Sequence, residues 1–303
     1  MPATADPEWI KRAGTLGSGG ELRLDPVHAG WDYSGLRVVV LQPRQPRTIH
    51  LDDCEGVVIP LSAQDIDVQV GDHTFAVQGR AGVFARVTDW VYAPVGSQVT
   101  MTSTTGGEVA IATAVAHREF PAAYVSAQDT PVQVRGAGPA TRQVTVYAGP
   151  ENFPDADRVV VCELLTPDGN WSSYPPHRHD GIGDCPHTNE EIYYFRIGKV
   201  GQPHGHPDGV GLHRTYTAPE DPGTPVDFAV QVRDGDVALV PRGYHGPCVA
   251  SPGYPMYYLN VLAGPNPRTF GFCDDPVHHW IRDTWADMAP DPRVPMTSAD
   301  GAA

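Results

Sequence analysis

His177 and His179 are separated by one residue, Glu190-Glu191 follow, and His245 arrives at the end of Pro241-Arg242-Gly243-Tyr244-His245. Residues two apart on a strand project to the same face. The two histidines can therefore converge on one point, and a carboxylate and a third imidazole can close a cage around it. Three neutral imidazoles and one carboxylate suit a divalent transition metal with coordination positions left for substrate, and zinc, manganese, iron and nickel all fit such a set. Nine of the 13 histidines lie after residue 170, which concentrates the donors around this motif. Glu190 and Glu191 must point to opposite faces of a strand, and parity alone does not choose between them. The one turned away from the cage would serve as an ion-pair partner or would orient a ligand imidazole.

Arginines come next, because a guanidinium binds a carboxylate in a bidentate fork. Arg214 and Arg242 are the candidate substrate contacts, whereas the parity of Arg178 turns it away from the point faced by His177 and His179. Tyr244 and Tyr258 are the candidate pocket tyrosines, as hydrogen-bond donors or proton carriers. Lys11 and Lys199 are the only lysines, so a Schiff-base mechanism has few candidates. There is no Gly-x-Ser-x-Gly elbow and no P-loop.

The elements that must position these groups are short strands. Apolar, β-branched or aromatic runs bounded by Gly, Pro, Asp or Asn recur at 36–41, 55–61, 65–70, 73–78, 90–93 and 109–114, and again at 158–165, 191–197, 211–217, 226–232, 237–240 and 257–262. With 32 glycines and 31 prolines the chain favours turns over long helices, and one helix is expected at 278–288, ahead of a loose tail at 289–303. Asp89-Trp90-Val91-Tyr92-Ala93-Pro94-Val95-Gly96-Ser97-Gln98 echoes Asp236-Val237-Ala238-Leu239-Val240-Pro241-Arg242-Gly243-Tyr244-His245. The echo predicts two copies of one β-unit, 1–150 and 151–303, with the first 20 or so residues loose and Gln98 standing where the second unit has His245. The net charge of −15 argues against nucleic acid or an anionic membrane as partner. No apolar run is long enough to span a bilayer, and 1–20 lacks an apolar leader core. Five scattered cysteines without a CxxC pair read as free thiols of a cytoplasmic protein.

The two metal motifs resemble those of cupins, which carry His-x-His with Glu in one motif and Gly, Pro-x-Gly and His in the other. This resemblance favours Glu191 as the carboxylate ligand beside His177, His179 and His245. It also implies an inserted loop at 180–189, since eleven residues separate His179 from Glu191. Gly169 through Asp180, Glu190-Glu191-Ile192-Tyr193-Tyr194, Val240 through His245, and Tyr257-Tyr258-Leu259-Asn260-Val261 are similar to the 5-deoxy-glucuronate isomerases of myo-inositol catabolism. Phe84 through Asp89 and Tyr92 through Gly96 fit that family as well, and the likeness covers most of 20–285.

The resemblance implies an all-β bicupin, two tandem jelly-roll barrels with few short helices. It also implies aldose–ketose isomerisation of 5-deoxy-D-glucuronate to 5-dehydro-2-deoxy-D-gluconate. The partner is a small sugar acid, and a homo-oligomer is compatible because bicupins often pair. A metal would polarise the carbonyl while a base moves a proton between adjacent carbons. Glu190, Tyr244 and Tyr258 are the candidates for that base. The alternatives from other classes are a cupin iron dioxygenase, which consumes oxygen, and a non-catalytic sugar-binding cupin, which has no need of a metal cage.

Overall fold

The strands that build this molecule alternate apolar residues so densely that both faces must be covered. In the computed structural model, which describes residues 7–302, they are. Ser34–Leu41, Cys54–Pro60, Trp90–Ala93 and Gly107–Val115 form the centre of one six-stranded sheet, in the order 90–93, 54–60, 107–115, 34–41. Val160–Thr166, Glu190–Ile197, Val237–Val240 and Met256–Ala263 form the centre of a seven-stranded sheet in the matching order 237–240, 190–197, 256–263, 160–166. Each sheet closes over a second one to make a barrel. In the first barrel the partner sheet is Arg47–His50, Gln98–Ser103, Gln64–Val70 and His73–Gly79. In the second it is Asp227–Arg233, Val210–Tyr216, Tyr244–Ala250, His177–Arg178 and Cys273–Asp274.

Alternation divides each central strand between two cores. Val39, Val58, Val91 and Ile111 point into the first barrel, while Val38, Val57, Trp90 and Tyr92 point out of it. The outward set packs against Val161, Tyr194, Leu239, Tyr257 and Leu259 of the second barrel. The second barrel is filled by Val144, Leu164, Tyr193, Phe195, Val232 and Met256, among others. The two barrels thus share a large apolar seam built from the backs of their main sheets.

Polar anchors fix the register of that seam. Glu55 of the first barrel accepts N–H bonds from Asp157, Arg158 and Val159 at 2.8, 2.6 and 2.7 Å. Glu190 of the second reciprocates, accepting from Asp32, Tyr33 and Ser34 at 2.8, 2.9 and 2.7 Å. Arg80 and Glu163, both fully buried, form a bidentate pair across the seam at 3.1 and 2.8 Å. Arg80 also donates to the carbonyls of Pro60 and Arg86, so its desolvated donors are satisfied.

Several expectations need correction. A division near 150 would separate Arg142–Ala148 from Val160–Thr166, which are hydrogen-bonded neighbours. Val132–Arg135 and Arg142–Ala148 both extend the second barrel's sheet, which favours a division before Val132. Residues 7–20 are not loose. Ile10–Lys11 pairs with Val237 and Ala238, and Trp9 stacks on Phe228 at 6.0 Å. Residues 1–6 lie outside the described residues. The tail is also held. Gln143 bonds both the backbone and the side chain of Thr297, and Thr297–Ser298 pairs with Gly301–Ala302. The expected helix is a 3₁₀ helix, His279–Asp287.

Cys185 and Cys273 are joined as a disulfide, leaving Cys54, Cys162 and Cys248 as the free thiols. Sequence spacing could not show that pairing, because the two are brought together by the second barrel's fold. Among the described residues, no helix is long and apolar enough to cross a membrane.

Replacing Glu163 by Gln leaves the Arg80 guanidinium buried without its counter-charge. Loss of one partner of a buried pair costs about 3–5 kcal/mol. The expected result in urea or guanidinium unfolding is a midpoint lowered accordingly, and a change below about 1 kcal/mol would show that the pair does not hold the seam.

Candidate metal centre

The strand Glu190–Ile197 settles which glutamate faces inward. Ile192 and Tyr194 share parity with Glu190 and lie in the seam; Tyr193 and Phe195 share parity with Glu191 and fill the second barrel. Glu191 is therefore inside the barrel and Glu190 outside it, tied to the amides of Asp32–Ser34. His245 is the second residue of the strand Tyr244–Ala250 and stands opposite His177 in the sheet register. The turn before it needs Gly243, whose φ is +77° and where a Cβ would lie 2.4 Å from the Tyr216 carbonyl oxygen. After His179 the chain leaves the sheet in the loop 180–189, closed by Gly181 N–H to His187 O and Asn189 N–H to His179 O, both at 2.8 Å. Asp180 bonds the Arg178 guanidinium and the Gly243 amide, so one carboxylate ties together the two segments that carry the histidines.

These segments bring His179, Glu191 and His245 to one point, with their donor atoms all within 4.8 Å of one another and all three side chains buried. His179 Nε2 is 3.0 Å and His245 Nε2 2.9 Å from Glu191 Oε2. His245 nevertheless makes no hydrogen bond through either ring nitrogen. On a fully buried neutral imidazole one nitrogen carries the proton and the other an in-plane lone pair, and leaving that lone pair unaccepted is costly. That orphaned donor, together with the chemistry of the set, fits a divalent cation. The ring of His177 packs 4.4 Å from that of His245 and 6.4 Å from that of His179, and its Nδ1 is held by the Pro175 carbonyl at 3.2 Å. It therefore adjoins the convergent three and lines the same cavity as His179 and Glu191.

Electrostatics agree with a preformed donor set. Burial holds the His177 and His245 imidazoles below their ordinary value, so both are neutral and able to ligate. Burial pulls His179 the same way, but the Glu191 carboxylate outweighs it and holds this imidazole up. Burial would raise Glu191, yet His245 and His179 keep it well below the usual carboxylate range. Asn260 donates to Glu191 Oε1 at 2.8 Å, and the Asn189 carbonyl meets His179 Nδ1 at 3.0 Å. Each orients a ligand from behind.

The first barrel keeps the frame without the donors. Gly56 pairs with Ala93 as Glu191 pairs with Val240, and Gln98 pairs with His50 as His245 pairs with His177. A Cβ at Gly56 would meet Leu51 at 3.1 Å and Ile111 at 3.2 Å, so apolar side chains occupy the space that Glu191 takes in the second barrel.

The cage opens into a cavity of about 230 Å³. Tyr193 and Asn260 line it on the barrel side; Arg135, Arg142, Arg282 and Trp285 line it elsewhere. Five residues expected here are placed outside its lining. Glu190 is in the seam. Arg214 is exposed, stacked over Tyr216 and 3.5 Å from Asp227. Arg242 donates to the carbonyls of Pro222 and Thr224. Tyr244 lies under the Arg178 guanidinium at 4.7 Å. Tyr258 is buried behind the lining, bonded to Ser172 and Ser173 at 2.9 Å. Arg142, in phase with Val144 and Val146, and Asn260, in phase with Tyr258 and Leu262, were legible only as polar residues on an apolar face. Nearness in sequence to the histidines pointed instead to Arg214 and Arg242.

With this geometry established, comparison with known proteins is informative. A model of the KduI/IolB family matches residues 9–281. The chain belongs to the KduI/IolB family. Curated members named 5-deoxy-glucuronate isomerase are similar to it. The one from Geobacillus kaustophilus is 37% identical over 270 residues, covering 88% of this chain and 92% of the relative. The one from Geobacillus thermodenitrificans is 36% identical over 271 residues, with the same coverage. The crystal structure of an IolB-like protein from Salmonella typhimurium superposes with a TM-score of 0.80 at 31% identity, covering 91% of this chain and 99% of that one. Oxalate decarboxylase from Lactobacillus farciminis matches in fold alone, with a TM-score of 0.61 at 11% identity over 88% of each chain. The all-β bicupin architecture expected from the motifs is the fold of the family.

Asn260→Leu removes the hydrogen bond to Glu191 while leaving the ligands in place. Loss of such an orienting partner typically weakens metal binding about 10- to 100-fold. Chelator competition on the variant is the measurement, and unchanged affinity would mean that Asn260 does not position Glu191.

Proposed function

We propose that this chain is a metal-dependent aldose–ketose isomerase converting 5-deoxy-D-glucuronate to 5-dehydro-2-deoxy-D-gluconate. The observation that carries the reading is a convergent His179–Glu191–His245 set, of which His179 and Glu191 line the same cavity as three guanidinium-bearing side chains. It is supported by membership of the KduI/IolB family and by the names of relatives matched over most of both chains. In this reading His179, Glu191 and His245, with His177 as fourth donor, hold one divalent metal: zinc, manganese, iron or nickel. When bound there, it would act as a Lewis acid toward the substrate carbonyl.

The chain's own groups have distinct tasks. The reaction moves the proton on the hydroxyl-bearing carbon beside the aldehyde to the aldehyde carbon, and the proton of that hydroxyl to the aldehyde oxygen, with no net gain or loss of electrons. Burial raises the Tyr193 phenol well above its ordinary value. It is therefore neutral near pH 7 and serves as a hydrogen-bond donor to a substrate oxygen rather than as a base. Its hydroxyl is positioned by Ser173 at 3.2 Å. Phe270, Phe272 and Trp285 in the lining limit water around the reacting carbons. A cytoplasmic setting belongs to the same reading, as do division into two cupin units and assembly into a homo-oligomer. In the cytoplasm the Cys185–Cys273 pair is exposed to reducing conditions.

The test is conversion of 5-deoxy-D-glucuronate to its ketose by metal-loaded protein under nitrogen. Turnover should be unaffected by excluding oxygen, which an oxygenase would need; no ketose from fully loaded protein overturns the assignment. His177→Ala should lose both stoichiometric metal and activity. If that variant keeps its metal, His177 is not a ligand.

A further inference from the structure

Arg142 is a buried cation with no carboxylate partner among the described residues. It lies on Arg142–Ala148, in phase with the barrel-filling Val144 and Val146, and is only 7% exposed. Its Nη1 donates to the carbonyls of Ala140 at 3.1 Å and Tyr174 at 3.5 Å. Its Nε is buried with no partner, and among the described residues no carboxylate forms an ion pair with it. The other two buried arginines, Arg80 and Arg178, and the less buried Arg196 are provided for. Arg80 has Glu163, Arg178 has Asp180 and Asp221, and Arg196 has Glu108 and Asp234. Burial lowers the proton affinity of Arg142 to about 10, which still leaves it charged at neutral pH.

The surroundings make the omission more costly. Arg135 stands directly opposite Arg142 in the hairpin register, and like charges at facing strand positions repel. Arg282 lines the same cavity and carries the one carboxylate of the cluster, Asp274. Arg282 and Arg142 both lie against the Trp285 ring, at 5.2 and 5.9 Å. In a chain with 36 acidic and 21 basic residues, neutralising these guanidinia with further acids would have been easy. Three cations facing a cavity that also contains His179 and Glu191, with one acid among them, form a site for an external anion.

We infer that Arg142, flanked by Arg135 and Arg282, binds the carboxylate of a sugar acid whose other end reaches the His179–Glu191–His245 cage. The inference rests on the isomerase reading for the identity of the substrate, and on the geometry for the anion site itself. It replaces Arg214 and Arg242 as the carboxylate contacts and makes the acid group the basis of selection. A neutral sugar of the same size leaves the buried guanidinium without a partner, and a site built around a buried polar group discriminates against ligands that cannot satisfy it.

The test is calorimetric binding of D-glucuronate and D-glucose to the metal-loaded full chain. The acid should bind and the neutral sugar should bind far more weakly; equal binding overturns the inference. Arg142→Met should keep its metal and lose the preference, with glucuronate affinity falling roughly 10- to 100-fold, the range for a lost charge-assisted hydrogen bond. Arg142→Lys keeps the charge without the planar fork and covers the case in which the Met variant does not fold. It should bind glucuronate more weakly than the unaltered protein, and affinity equal to that protein's overturns the inference. The two proposals can fail separately. Arg142-dependent binding of the acid without turnover of 5-deoxy-D-glucuronate retains the anion site and overturns the isomerase reading. Turnover whose KM is unchanged in both Arg142 variants overturns the anion site alone.

Discussion

Strands covered on both faces are the constraint from which the rest of this molecule follows. Once both sides of Glu190–Ile197 are buried, a shift of one residue in register would exchange everything inside the barrel with everything in the seam. Glu191 would meet the backbone of the other barrel and Glu190 the histidines. The reciprocal anchors at Glu55 and Glu190 oppose that shift, because each carboxylate accepts three amides presented by the other barrel. The position of a ligand in one barrel is therefore held partly by hydrogen bonds made on the far side of its own strand.

The same economy governs charge. Most buried acids are engaged with arginines or with backbone amides: Glu163 with Arg80, Asp180 with Arg178 and Gly243, Glu55 and Glu190 with N–H groups. Against that pattern the cavity is unusual twice over. At one end a carboxylate faces imidazoles whose nitrogens are not all satisfied, and at the other a guanidinium has no acid. The two ends have opposite needs, one for a cation and one for an anion, and a metal with a sugar acid meets both.

Much of this was legible in the sequence, and the misses have physical causes. His-x-His and the Pro-x-Gly turn announce a cage because strand parity is a local property. The choice between Glu190 and Glu191 is not local, since both faces of the strand are buried and only the tertiary partner distinguishes them. The strand Tyr244–Ala250 was hidden by Gly246-Pro247, a pair that normally ends strands. Arg142–Ala148 is buried throughout, but its Arg-Gln-Val-Thr opening lacks the apolar density that marks a strand, and this hides the arginine that faces the cavity. Arg214 and Arg242 are near the histidines along the chain, but the first sits on the outward parity of its strand and the second bonds to loop carbonyls. The Cys185–Cys273 link joins segments far apart in sequence, and no spacing rule reaches that far.

The clasp made by Ile10–Lys11 has a consequence for how the chain is made. These residues precede the whole first barrel in the chain, yet their partners, Val237 and Ala238, are among the later strands. The edge of the second barrel's main sheet is therefore closed by a segment that is made before the first barrel and must wait through its synthesis. The second barrel thus takes its edge from a segment made before the first barrel, and the first rests its seam on strands made after it. Both contacts span most of the chain, the kind of long-range pairing that forms slowly.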